Sequence, residues 1–261
     1  MKRFIEDIKK YYKYTIYAAK AELKSEVAGS YLGWFWWFLE PLCFMLVYAF
    51  MVVTVFGASE KYMLAFVFMG NTIWTFFNKC VTTSVKLMSA NKNIVTKVYI
   101  PKFILVLVKM FVNFFKLLIS LLIVAGLMAF YKVPLCITMI EMIPLLVVIF
   151  LFTFGACIIL SHFGVFVEDL ANVVNILLKL AFYFSGIFYS VSTRIPAPYG
   201  NILAKINPVA FIIEESRAVL LYGKHFNILF VAIWLVISIV LCVIGIRTIY
   251  KNENNYVKVM S

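Results

Sequence analysis

The side chains best placed to do chemistry in this sequence are three lysines inside apolar stretches. Lys109 and Lys116 interrupt the run from Phe103 to Tyr131, and Lys179 interrupts the run from Leu170 to Val191. A charge within a bilayer is costly and usually faces a bundle interior or water. Lys109 and Lys116 are seven residues apart, so helical periodicity puts them on one face. Such a cationic lining suits a phosphate-bearing substrate. The ordinary alternative is a structural pair with a carboxylate or a backbone carbonyl. Lys109 lies near the end of its run, where a long side chain snorkels to the headgroups. Lys116 is deeper and is expected to point inward as a pore residue.

Aromatic rings offer a second chemistry. The chain has 26 Phe, 15 Tyr and 5 Trp, and ring faces stack on the C–H surfaces of sugars. Tyr183, Phe184, Phe188 and Tyr189 cluster at the outer end of the Lys179 run and are candidate sugar-stacking residues. Lipid-facing and belt aromatics give the same composition. The usual catalytic sets are missing. There is no GxxxxGK[ST] to cradle a nucleotide phosphate, and no HExxH. His162 and His225 are isolated, and His162 reads as a packed hydrogen-bonding residue rather than a proton relay. Cys43, Cys80, Cys136, Cys157 and Cys242 are scattered without a CxxC pair, so they read as small apolar residues and not as a disulfide frame or metal site. No catalytic residue, metal or cofactor is expected in this chain.

The elements that must position these groups are membrane helices. Of 261 residues, 64% are hydrophobic and 14% charged, and the mean hydropathy is +0.99. A soluble domain is about 45–50% apolar and about 25% charged. A bilayer core of about 30 Å takes roughly 20 apolar residues as helix. Runs of that size predict six transmembrane helices at 38–58, 62–79, 103–131, 142–166, 170–191 and 226–247. The alternating ten-residue segments of a β-barrel are absent. The fold class is therefore all-α integral membrane protein.

Six spans leave both termini on one side. With the termini inside, the inner segments carry 15 Lys and Arg against 6 outside, as the positive-inside rule requires. The net charge of +12 then reflects orientation and contact with anionic lipid, not nucleic acid. The first 33 residues are polar and basic and lack the pattern of a cleaved signal peptide.

Residues 1–30 predict an interfacial amphipathic helix, with Phe4, Ile5, Ile8, Tyr11, Tyr12 and Ile16 on one face. Trp34, Trp36 and Trp37 mark the water–lipid boundary, and Pro41 opens the first span. The inner segment 80–101 is long enough for a short helix and reads as a docking element; Lys86, Asn91, Lys92, Asn93, Ile94 and Lys97 are its candidate contacts. A short inner link with Glu168 and Asp169 joins the fourth and fifth spans. Segment 192–224 is apolar yet broken by Pro196, Pro198, Gly200 and Pro208. Asn207-Pro208 reads as an N-cap with proline at the first helical position, and Gly223 as the C-terminal glycine of a helix of about four turns. Glu214 and Arg217 are three apart there, a spacing that allows a pair. A broken apolar segment of this kind predicts a re-entrant hairpin between spans five and six; an external helix resting on the bilayer is the simpler alternative.

In that order the elements resemble a known family. Ser30-Tyr31-Leu32-Gly33-Trp34-Phe35-Trp36-Trp37-Phe38-Leu39-Glu40-Pro41-Leu42 resembles the S-x-LG-x-x-W-x-x-x-x-PL motif of polysaccharide-export permeases, the membrane subunits of ABC exporters for O-antigen, capsule and teichoic acid. Asn93 to Lys102 is similar to the family's N-x-x-x-x-K-x-x-x-P before the third span. Phe166-Val167-Glu168-Asp169-Leu170 looks like its acidic inner link, although an arginine often stands at the position of Glu168. Tyr183 to Ser190 and Asn207-Pro208, followed by Arg217 and Gly223, resemble its outer gate. The chain departs from the family before the Leu-Gly pair, where Glu22-Leu23-Lys24-Ser25-Glu26 replaces an Arg-rich stretch. That departure argues against lipid-diphosphate recognition there.

The resemblance implies one transmembrane domain over 1–261, working as a dimer with a second copy of itself and two ATP-binding cassette ATPase subunits that bind ATP and Mg. It implies that residues 86–97 form the coupling helix, that the gate lies in the broken segment, and that the cargo is a lipid-linked glycan. It also implies a multi-pass position in the plasma (inner) membrane. The expected function is export of that glycan from the cytoplasmic to the outer face. A drug or small-lipid exporter of the same architecture is the nearest alternative; a glycolipid-modifying enzyme and a passive channel stand further off.

Overall fold

The computed structural model describes residues 2–51, 54, 61–196 and 198–260. Apolar sequence in lipid must satisfy its backbone hydrogen bonds within each segment, which favours helices. Among the described residues there are thirteen α-helices and no strand. Three stretches are long and apolar enough to cross a bilayer: Phe103–Phe130 (α6), Ile137–Phe166, which is a 3-10 turn leading into α7 (Met142–Phe166), and Ile228–Lys251 (α12). Helices α2 (Trp36–Phe50) and α8 (Leu170–Phe184) are apolar but have 15 residues each. At 1.5 Å per residue α8 rises about 22 Å, short of a bilayer core. Residues 52–53 and 55–60, in the first expected span and its turn, lie outside the described residues.

The core is built around α3 (Met63–Val85). Phe66, Phe68, Met69, Ile73 and Phe76 are all at most 2% exposed. A helix apolar over most of its surface belongs inside its neighbours, and α3 packs against α2, α6, α7, α8 and α11 (Pro208–Leu221). Helices α7 and α12 pack through small residues. A Cβ on Gly155 would lie 2.8 Å from Leu241 Cβ, and one on Gly245 would lie 2.8 Å from Ile158 Cγ2. Small residues bring helix backbones close where hydrophobic burial alone gives no drive between helices in lipid.

Helix α1 (Lys2–Val27) packs along α6. Its apolar face divides in two. Phe4, Ile8, Tyr11, Thr15 and Ala19 turn toward the bundle, whereas Ile5, Tyr12 and Ile16 stay about half exposed. The sequence pattern placed all six expected apolar residues on one face; the docked stripe is narrower because α6 covers only the i, i+4, i+7, i+11 row.

Helix α8 stops at Phe184, seven residues before the expected end of the fifth span. Gly186 follows at φ +64°, and a Cβ there would lie 2.4 Å from Val191 Cγ2. Segment 192–224 then divides into α9 (Val191–Arg194), α10 (Tyr199–Ile206) and α11.

Gly164 gives the packing its sharpest test. A Cβ there would sit 1.8 Å from the Val85 carbonyl oxygen, whereas one on Gly126 meets nothing within 4 Å. Thermal unfolding in detergent should show Gly164→Ala destabilised by about 1–3 kcal/mol. Gly126→Ala should be neutral or stabilised by up to about 1 kcal/mol.

Candidate functional site

Three polar assemblies interrupt the apolar bundle. The first joins both chain ends to the segment before α6. Residues 80–101 contain the end of α3 and two short helices, α4 (Leu87–Ala90) and α5 (Lys92–Lys97), hinged at Asn91. The Asn91 amide donates to Leu87 O at 2.8 Å. Lys86, Lys92, Asn93 and Lys97 are exposed, Ile94 is partly buried, and Val95 roots the segment at 1% exposure. Lys102 is buried and its ammonium donates to Val95 O at 2.9 Å. Burial lowers the pKa of that ammonium from its ordinary value.

Helix α13 (Glu253–Met260) packs on α5 from the other side. Arg3 donates to both oxygens of Glu253 at 2.9 and 2.8 Å, and to Tyr99 Oη at 2.9 Å. It also lies 4.3 Å over the Tyr250 ring. Its bonds to Glu253 raise the guanidinium above its ordinary pKa. Tyr250 donates to Asp7 at 2.6 Å, and Tyr256, with no exposed surface, meets His162 Nδ1 at 2.7 Å. His162 thus has the packed hydrogen-bonding role expected of it. Glu168 and Asp169 are exposed in the link between α7 and α8, and Asp169 O accepts from Asn172 N at 2.9 Å.

The second assembly holds the lysines of α6. Lys109 pairs with Glu22, and Lys116 with Glu26 at 2.6 Å. The structural alternative is realised for both: the acidic stretch before the Leu-Gly pair supplies their carboxylates. Lys116 also borders a cleft between α2, α3 and α6, beside a Glu40–Lys79 pair at 3.1 Å. Lys179 is exposed on α8.

The third assembly lies at the opposite end. Asn207 caps α11, accepting from Val209 N at 3.1 Å and Ala210 N at 3.3 Å, with Pro208 at the first helical position. Gly223 follows the helix at φ +62°. Glu214 accepts from Ser190 Oγ at 2.9 Å and Ser192 N at 3.0 Å, which ties α11 to the start of α9. Arg217, 2% exposed, donates to Phe66 O at 3.1 Å, Gly186 O at 2.8 Å and Ile187 O at 2.7 Å, with its guanidinium 3.5 Å from the Phe66 ring centre. Glu214 and Arg217 both take partners on other elements. The aromatic cluster also divides: Tyr183 and Phe184 are exposed, Phe188 packs edge-on to Phe182, and Tyr189 Oη donates to Tyr183 O at 2.7 Å.

The model of the ABC-2 type transporter family matches residues 16–221. The chain belongs to the ABC-2 type transporter family. It is an integral membrane protein. Over 223 residues, 84% of each chain, it is 29% identical to the O-antigen export system permease protein RfbA of Myxococcus xanthus. Two proteins of that name from Klebsiella pneumoniae are 26% and 24% identical over 240 residues, 92% of each chain. The match to the ABC-2 family runs from within α1 to the last residue of α11. It therefore includes α4, α5, the paired lysines and Arg217.

Sequence reasoning missed Arg3, Glu253 and Tyr256, and missed Glu40–Lys79. The first three lie some 250 residues apart or face distant helices, and no local spacing connects them. Glu40 and Lys79 had one signal, since each ends an apolar run.

Truncating Arg217 would take the side-chain donor from the Gly186 and Ile187 carbonyls, whereas Phe66 O keeps its bond within α3. Each buried acceptor left unpaired costs about 1–3 kcal/mol, so Arg217→Ala should lose at least about 2 kcal/mol in thermal or denaturant unfolding. Limited proteolysis should open first near Gly186.

Proposed function

We propose that this chain is the channel-forming membrane subunit of an ATP-driven exporter that moves a lipid-linked polysaccharide outward across the plasma membrane. The class of cargo is O-antigen, capsule or teichoic acid. The observation that carries the reading is membership of the ABC-2 family together with three relatives named as O-antigen export permeases, aligned over most of both chains. The sequence has no phosphate-binding loop, so the chain is a transport subunit and ATP and Mg bind to separate ATPases. Two copies of this chain and two ATPase subunits make the working unit.

The termini lie in the cytoplasm. The meeting of Arg3 with Glu253 supports placing both termini on one side, and the excess of basic residues there supports that side being the cytoplasm. Helices α4 and α5 dock on the ATPase. Lys86, Lys92, Asn93 and Lys97 present an exposed polar surface for that purpose. Val95 and Lys102 fasten the segment to α6, and α13 clasps it from the side. A push on α5 therefore reaches α1, α6 and α7 through packed side chains and is not absorbed by a loose loop. At the other end α9–α11 form the gate, with Glu214 and Arg217 setting their positions. The six-span count, the interfacial setting of α1 and the re-entry of α9–α11 belong to this reading.

Two measurements test it. A tagged chain should bring down an ABC ATPase, and deleting its gene should remove a surface glycan. Normal surface glycan with altered drug resistance would transfer the chain to the drug or small-lipid exporters. Reversing charge with Lys92→Glu and Lys97→Glu should weaken ATPase recovery at least about five-fold while leaving thermal stability within about 0.5 kcal/mol, because both side chains are exposed.

A further inference from the structure

Helices α2, α3 and α6 part around a cleft of about 60 Å³. Asn71, Thr72, Thr75, Asn113 and Ser120 line it, beside the rings of Trp37, Phe44 and Phe76. Polar side chains converging inside membrane helices face protein or water, because hydrocarbon leaves them unsatisfied. Thr72 makes the point specifically. It is 4% exposed, and its hydroxyl has no hydrogen-bond partner among the described residues. A helical threonine usually bonds back to its own helix. Thr15, Thr83, Thr96 and Thr248 do so here, to Tyr11, Lys79, Lys92 and Ile244; Thr72 and Thr153 are buried without a partner among the described residues, and of these two Thr72 faces the cleft. Thr72 lines the cleft without that bond.

The charges around the cleft are balanced. Lys79 is held by Glu40 at 3.1 Å and Lys116 by Glu26 at 2.6 Å. Among the described residues, each lysine lining the cleft has a carboxylate partner. Amides and hydroxyls supply both donors and acceptors without net charge. Glu40 and Lys79 are 48% and 40% exposed and form a charged mouth. Thr72 lies seven residues, about 10 Å, further along α3. The volume admits waters or the hydroxyl groups of one ring edge, with the ring itself held at the mouth.

We infer that this cleft is a binding site for the hydroxyl groups of a neutral sugar unit, distinct in chemistry from a diphosphate site. The inference rests on the exporter reading for its ligand, and on the cleft alone for its aqueous access. Waters occupy it between sugars, and Thr72 and the amides exchange them for sugar hydroxyls.

Thr72→Cys, placed in a Cys43→Ser chain assembled with its ATPases in membranes, tests both halves. A charged, water-soluble methanethiosulfonate should modify the introduced thiol, with the Cys43→Ser parent as control. A neutral oligosaccharide of the host's surface glycan should slow that reaction at least about five-fold, and inorganic pyrophosphate should not. Failure to label would show a dry, packed site and overturn the inference. Equal labelling with and without oligosaccharide, or stronger protection by pyrophosphate, would overturn its ligand class. Thr72→Val should lower glycan export about five-fold with ATPase recovery unchanged, and Thr72→Ser should restore it; equal export by both would also count against it. An intact surface glycan after gene deletion would sink the exporter reading while leaving the labelling result to stand.

Discussion

A guanidinium held by three main-chain carbonyls organises the half of the molecule remote from the termini. Arg217 reaches α3 through Phe66 O and the turn after α8 through Gly186 O and Ile187 O. A permanently charged group buried this deeply is tolerated only when its donors are satisfied. The carbonyls after α8 are free to accept because Gly186 turns the chain at positive φ. A Cβ on Gly70 would lie 2.4 Å from Arg217 Nη2, so glycine on α3 makes the room. The end of α8, the turn, and the position of α11 thus follow from one side chain. Glu214 extends the same logic to α9 through Ser190 and Ser192.

The other half is held by pairs that join distant parts of the chain. Glu22 and Glu26 on α1 meet Lys109 and Lys116 on α6, and Arg3 meets Glu253. Exposed ion pairs contribute little to stability. Their effect here is on position. They set how far α1 extends along α6, while Phe4 against Phe103 and the buried Tyr256 supply apolar contact. Helix α5 is thereby held by α13, and Tyr99 just beyond it by Arg3 and Tyr11.

Between these halves α3 carries apolar packing on most of its surface and Asn71 and Thr72 on the side toward α2 and α6. The carboxylates that neutralise Lys79 and Lys116 make that side polar without making it cationic.

Much of the architecture was legible in the sequence because its causes are local. Apolar run length marks α6, α7 and α12, whose backbones must close their own hydrogen bonds in lipid. Asn207, Pro208 and Gly223 mark the ends of α11, since a cap is a bond between near neighbours. What only the tertiary structure decided are the partners of charged groups. Arg217 and Glu214 are three residues apart and bond elsewhere; Lys109 and Lys116 take carboxylates some 90 residues away. A buried charge goes to whichever acceptors the packed helices bring within reach, and helix packing is set by side chains from the whole chain rather than by the neighbours of the charge.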